Sequence, residues 1–137
     1  MTVGYQVICV MPAPEEFHRI RGILHNEGIE AHQASCLLGA VLAHTYLRLN
    51  KESEAPPIVL YDTDAPGHWR QALGEFLRLH PETHVIFLSR TADESMWIQV
   101  LDTGGYDLLS KPASSASICA AVFGALRSVD KHRVVAA

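Results

Sequence analysis

An apolar run of strand length, a turn, then a segment with helical spacing: this unit recurs along the whole 137-residue chain and leaves few folds open to it. The third run is the clearest. Ile58-Val59-Leu60-Tyr61 leads straight into Asp62, and Pro66-Gly67 then stops regular structure. A short unbroken apolar run between turn residues reads as a strand covered on both faces, as in a parallel sheet. Open parallel sheets keep their chemistry just past the carboxyl ends of the strands. Asp62 therefore stands where a functional carboxylate is expected, although Asp also turns a chain for purely local reasons.

The other units follow the same grammar. Residues 5–10 form a first strand, broken by Met11-Pro12-Ala13-Pro14, and Glu15-Glu16 open a helix whose start favours acids. Phe17, Ile20 and Leu24 give that helix one apolar stripe, and Gly28 ends it. Residues 29–35 read as a second strand. A second helix from Cys36 carries Leu38, Val41, Leu42, Thr45 and Leu49 on one side, and runs out in a polar loop over residues 50–54 and Pro56-Pro57. After Gly67 a third helix places Trp69, Leu73, Phe76, Leu77 and His80 at helical spacing as far as Pro81. Residues 84–88 make a fourth strand. Thr91 with Glu94 reads as a capping box for the next helix, which Gly104-Gly105 ends. Residues 106–109 make a fifth strand, stopped by Lys111-Pro112. A last helix begins near Ser115 with Ile118, Val122, Leu126 and Val129 inward. Strict β–α alternation with buried strands predicts an α/β fold, one parallel sheet with helices on both faces. Residues 1–130 form the domain, and residues 131–137 read as a frayed tail or the start of a linker.

Composition narrows the function classes. Apolar residues make up 48% and charged residues 19%, which suits a folded chain and excludes wholesale disorder. The net charge is −4 and the basic residues are scattered, so no stripe suits a nucleic-acid backbone. No run reads as a signal peptide or membrane span. Cys9, Cys36 and Cys119 lie far apart in apolar settings, and read as small buried hydrophobes in a reducing cytoplasm. The eight histidines read as isolated surface or packing residues.

Three polar residues fall at the ends of strands three, four and five: Asp62, Ser89 and Lys111. A carboxylate can attack a phosphoryl group, and a hydroxyl and an ammonium can hold the transferred oxygens. Here the chain resembles the receiver domain of bacterial two-component response regulators, over nearly its full length. The residues that carry the resemblance are Ile58-Val59-Leu60-Tyr61-Asp62 with Pro66-Gly67, Ser89, and Gly104-Gly105-Tyr106-Asp107-Leu108-Leu109-Ser110-Lys111-Pro112. The resemblance implies a flavodoxin-like (βα)5 sandwich of strand order 2-1-3-4-5, with Asp62 as phosphoacceptor, Ser89 and Lys111 contacting the phosphoryl group, and a cis bond before Pro112. It also implies a sensor histidine kinase as partner, and an output protein or second copy docking through the fourth helix, fifth strand and last helix.

Three positions depart from that family. The acidic pair that holds Mg²⁺ after strand one is replaced by Met11-Pro12, neither of which offers a hard oxygen. Asp64 is the residual metal ligand, while Glu15 and Glu16 sit on the helix and are not expected to reach in. Arg90 stands where the family leaves room beside its Ser/Thr, and Leu108 replaces its switch aromatic, with Tyr106 nearby. The expectation is a degenerate site with no Mg²⁺ or a weakly bound one, in which Arg90 with Lys111 neutralises Asp62. Recognition would then fall to the apolar fourth helix, with Trp97, Ile98, Leu101 and Tyr106 as interface candidates.

Two competing readings exist. Asp62-Thr63-Asp64 also looks like the DxD of haloacid-dehalogenase-type phosphatases, with Asp62 as nucleophile and Asp64 as general acid. Those enzymes, however, place DxD on the first strand. A flavodoxin would need a Ser/Thr/Gly-rich phosphate loop after strand one, and none follows.

Overall fold

The computed structural model describes residues 4–50 and 57–136, with side chains described as far as residue 128. The polar loop expected over residues 51–54, Pro56 and the inward Val129 side chain lie outside those limits. The element order is β1 (Gln6–Val10), α1 (Pro14–His25), β2 (Glu30–Ala34), α2 (Leu37–Leu49), β3 (Ile58–Asp62), α3 (Trp69–Leu79), β4 (Val85–Ser89), α4 (Glu94–Thr103), β5 (Asp107–Ser110) and α5 (Ser115–Ala136). All strand pairs are parallel and the sheet order is β2-β1-β3-β4-β5, as the alternation and the resemblance predict.

Side chains of the central strands alternate between two cores, the period of two that a pleated strand imposes. Val7, Cys9, Ile58, Leu60, Ile86 and Leu88 face α1 and α5. Ile8, Val10, Val59, Tyr61, Val85 and Phe87 face α2, α3 and α4. Strands β1, β3 and β4 are buried along their whole length, whereas the edge strands β2 and β5 are partly exposed. The buried strands therefore read as unbroken apolar runs, and their carboxyl ends converge on one rim.

Several expectations need correcting. Much of the stripe expected on α2 faces outward: Leu38 is 65% exposed, Leu42 60% and Leu49 76%, while Val41 is partly buried against the core. The inward residues are Ala40, His44 and Leu47. This helix is apolar all round, so spacing alone could not choose its face. A small residue helps decide it, because Gly39 lets the helix lie close to Ala34, whose Cβ would be 3.4 Å from a Cβ at position 39. His44 is a packing histidine, one of the two roles the sequence allowed. It is fully buried, edge-on to Phe76 and stacked on His80, and burial pushes its pKa down to about 3, with His80 and Arg48 adding to the shift.

The cap of α4 is Asp93, whose Oδ1 accepts from Met96 N–H at 2.8 Å, and not Thr91, which is engaged with Ser89. The helix α5 continues to Ala136 where a frayed tail was expected from Lys131, and no Gly or Pro stands in that stretch to stop it. Of the cysteines only Cys9 is buried, its thiol pushed up to about 12, while Cys36 and Cys119 are partly exposed. Among the described residues, no helix is long and apolar enough to cross a membrane.

Candidate functional site

The rim at the carboxyl ends of β1, β3, β4 and β5 is built by register. Asp62 pairs with Leu88, and Ser89 pairs with Ser110, so Asp62, Ser89 and Lys111 arrive at one edge from three adjacent strands. Backbone bonds lock that edge: Thr63 N–H donates to Leu88 O and Lys111 N–H to Ser89 O, both at 3.0 Å. The bond between Lys111 and Pro112 is cis.

Asp62 is buried, with 1% of its surface exposed, so its charge requires partners. Lys111 Nζ donates to Asp62 Oδ2 at 2.6 Å, and Asp64 N–H donates to Asp62 Oδ1 at 2.8 Å. The same ammonium donates to Asp64 Oδ2 at 3.2 Å and so bridges the two carboxylates. Burial pulls the Lys111 pKa down, but its hydrogen bonds to Asp62 and Asp64 outweigh burial and leave it above the ordinary lysine value. Arg90, expected as the counter-charge of Asp62, pairs instead with Asp64, at 2.9 Å. The reason is reach. Arg90 is largely exposed and meets the half-exposed Asp64 at the surface, while the space beside Asp62 is taken by Lys111.

The Ser89 hydroxyl is buried but turned to its own loop, 3.1 Å from Thr91 Oγ1, and it accepts from Thr91 N–H at 3.2 Å. Met11 is fully buried and packs into the α1–α5 core, so its side chain does not reach the rim. Its carbonyl accepts from Gln33 Nε2 at 3.1 Å. Pro12 follows it, exposed. Glu16 was set aside in the sequence, yet it lines the same cleft as Arg90, Lys111 and Pro112. Its carboxylate is spent on Arg19, at 2.7 Å, and that hydrogen bond holds it below the usual carboxylate range, with Lys111 adding a smaller pull. The signal that could have found it is its place in the first turn of α1, which points at the rim.

Away from the rim, Leu108 is buried in the core beside Phe87, with which it pairs across β4 and β5. Tyr106 is half-buried and stacks on His84, with ring centroids 4.9 Å apart. On α4 only Val100 is buried outright. Trp97 is 44% exposed, Ile98 47% and Leu101 39%. The Trp97 indole N–H reaches Asp107 Oδ1 at 3.4 Å, which holds the ring across the α4–β5 groove. Asp62-Thr63-Asp64 starts at the end of the third strand and not of the first, so position lends a dehalogenase-type phosphatase no support.

No protein-family model and no curated protein matches the chain. Solved structures do. A response-regulator receiver domain protein from Clostridium thermocellum superposes with a TM-score of 0.74 at 20% identity, covering 96% of this chain and 98% of that one. A CheY-like receiver domain protein from Methanospirillum hungatei JF-1 gives 0.77 at 18% identity, over 94% and 98%. The beryllofluoride-activated NtrC4 receiver domain, solved as a dimer, gives 0.75 at 20% identity, over 90% and 98%. Together with the strand order, the length and the rim, these likenesses establish that the chain has the fold of a CheY-like response-regulator receiver domain.

Proposed function

We propose that this chain is a non-enzymatic receiver module of two-component signalling, with Asp62 at the phosphoacceptor position but phosphorylated weakly or not at all, and that it acts by protein–protein contact. The observation that carries the reading is that both rim carboxylates are already met by cations. Lys111 bridges Asp62 and Asp64, and Arg90 closes on Asp64. A Mg²⁺ ion requires near-octahedral oxygen donors. The first strand delivers Met11 and Pro12 to this rim, whose side chains carry no oxygen, and the Met11 carbonyl is engaged by Gln33. That donor set does not fit a tight Mg²⁺ site. Were a phosphoryl group to form on Asp62, Lys111 and Ser89 are the residues to hold it, at the cost of Lys111 releasing its carboxylates.

Incubation with acetyl phosphate and Mg²⁺, read by intact mass, tests this. The expected adduct is far below stoichiometric. One phosphoryl group per chain, abolished by Asp62→Asn, would overturn the reading.

For contact, α4 and β5 supply the surface, with Trp97, Ile98 and Leu101 exposed together. Truncating an aromatic anchor at the centre of such a surface typically costs the most binding energy. The partner is an output protein or a second copy of the chain. Sedimentation of wild type against Trp97→Ala separates these, since self-association through α4 would weaken in the variant.

A further inference from the structure

At the end of the sheet opposite Asp62, packing brings together three side chains that the signalling reading does not use. His44 lies in α2 and is fully buried. His80 follows the last residue of α3, its ring stacked on His44 with centroids 3.7 Å apart. Glu82 stands in the turn that leads into β4, exposed. One ligand atom from each of the three lies within 4.8 Å of the others.

A second observation points to a ligand. His44 Nε2 is 2.6 Å from the buried Thr83 Oγ1, whereas His44 Nδ1 is buried and, outside its own backbone, has no hydrogen-bond partner among the described residues. Leaving a buried polar nitrogen unmet is costly, and native structures rarely do it without a reason. In the tautomer whose Nε2–H donates to Thr83, Nδ1 presents a lone pair. A hydrogen bond at one ring nitrogen that fixes the other as donor atom is how metal-binding histidines are held. Ring packing alone, which Phe76 already provides from the side, does not account for that nitrogen or for the carboxylate beside it.

We infer that His44, His80 and Glu82 form a binding site for one divalent transition-metal ion of the zinc class. Two imidazoles and a carboxylate are the donors of a three-ligand zinc site with water in the fourth position. Mg²⁺ and Ca²⁺ would want oxygen throughout, and Cu(I) would want sulfur. Zinc bonds of about 2.0–2.2 Å place tetrahedral ligand atoms roughly 3.4 Å apart, so the three must close in. His44 is anchored in the core, and the closing falls to the half-buried His80 and the exposed Glu82. Because ring-nitrogen lone pairs lie in the ring plane, His80 must also leave its stack on His44 to aim at the same ion. Arg48 on α2 opposes a cation here, and the Glu82 carboxylate supplies the compensating charge. The bound ion would clip α2 to the turn between α3 and β4, independently of events at Asp62.

The test uses the full chain, freed of metal with a chelator and titrated with Zn²⁺ by calorimetry in a non-coordinating buffer. The expected result is one ion per chain, a rise in Tm on the order of 10 °C at a hundredfold excess over Kd, and loss of at least tenfold in affinity in His80→Ala and in Glu82→Gln. Glu82 is exposed and His80 half-buried, and circular dichroism of the metal-free variants checks that they fold. In wild type, Zn²⁺ should shift the ring ¹⁵N resonances of His44 and His80. Absence of stoichiometric binding, unshifted rings, or a variant that binds as tightly as wild type would overturn the site.

Discussion

Lys111→Met is the most informative single change at the rim. Met keeps the length and the apolar stem of the side chain and removes only the ammonium. That leaves Asp62, with 1% of its surface exposed, holding one hydrogen bond, the 2.8 Å contact from Asp64 N–H. Among the described residues it also leaves Asp62 and Asp64 with only Arg90, on the solvent side, for compensation. Removing one partner of a buried pair costs about 3–5 kcal/mol, because the other charge stays buried and uncompensated. The surviving N–H bond and the slight exposure of Lys111 place the expected loss near the low end, about 3 kcal/mol. Urea denaturation at pH 7 followed by far-UV circular dichroism measures it, with an unchanged m-value showing that the same surface is exposed. Asp62→Asn combined with Lys111→Met removes both charges and should recover most of the loss, giving a coupling of roughly 2 kcal/mol in a double-mutant cycle. A loss below about 1 kcal/mol, or strict additivity, would mean that the 2.6 Å pair does not hold the rim.

Three further outcomes follow from the packing. Tyr61 has a buried hydroxyl with no hydrogen-bond partner among the described residues, so Tyr61→Phe should be neutral or stabilise by up to about 1 kcal/mol in thermal melts. A clear drop in Tm would show that the hydroxyl has a role. Gly105→Ala should cost about 2 kcal/mol or more, since a Cβ there would lie 2.5 Å from Val100 Cγ1 and 3.0 Å from Val100 O, in a wall that is itself fully buried; a variant as stable as wild type would refute the fit. His44 gives a pH dependence. Its folded pKa is depressed to about 3 from an ordinary 6.5, so below pH 6.5 the unfolded chain binds a proton that the folded one refuses. Its contribution is intact above pH 6.5 and is lost as pH falls towards 3, reaching about 2 kcal/mol at pH 5. In chelator-treated protein, the stability difference between wild type and His44→Asn should shrink by that amount from pH 7.5 to pH 5, and a constant difference would exclude the buried neutral ring.

What the sequence made legible was whatever depended on local pattern. The runs at β1, β3 and β4 are covered on both faces and therefore apolar throughout, and Asp62, Ser89 and Lys111 stand out because each is polar at the end of such a run. What it hid depended on contacts between elements. The face of α2 depends on how closely Gly39 approaches Ala34, which an apolar helix does not advertise. His44 found its partners on α3 and in the turn before β4, far away in the chain, while His84, four residues from His80, turned to Tyr106. Arg90 was rightly brought to the rim and given the wrong carboxylate. Sequence showed its neighbourhood but not that Lys111 would already occupy the inner oxygen of Asp62.

The four charges at the rim sum to zero: Asp62 and Asp64 against Lys111 and Arg90. Opposed charges a few ångströms apart cancel at a distance, so beyond one Debye length, about 8 Å in physiological salt, this edge casts almost no field. An approaching macromolecule is neither drawn in nor turned away there, and must find the domain by shape and apolar contact. Deleting any one of the four would give the edge a sign, and with it a sensitivity to ionic strength that the intact rim lacks.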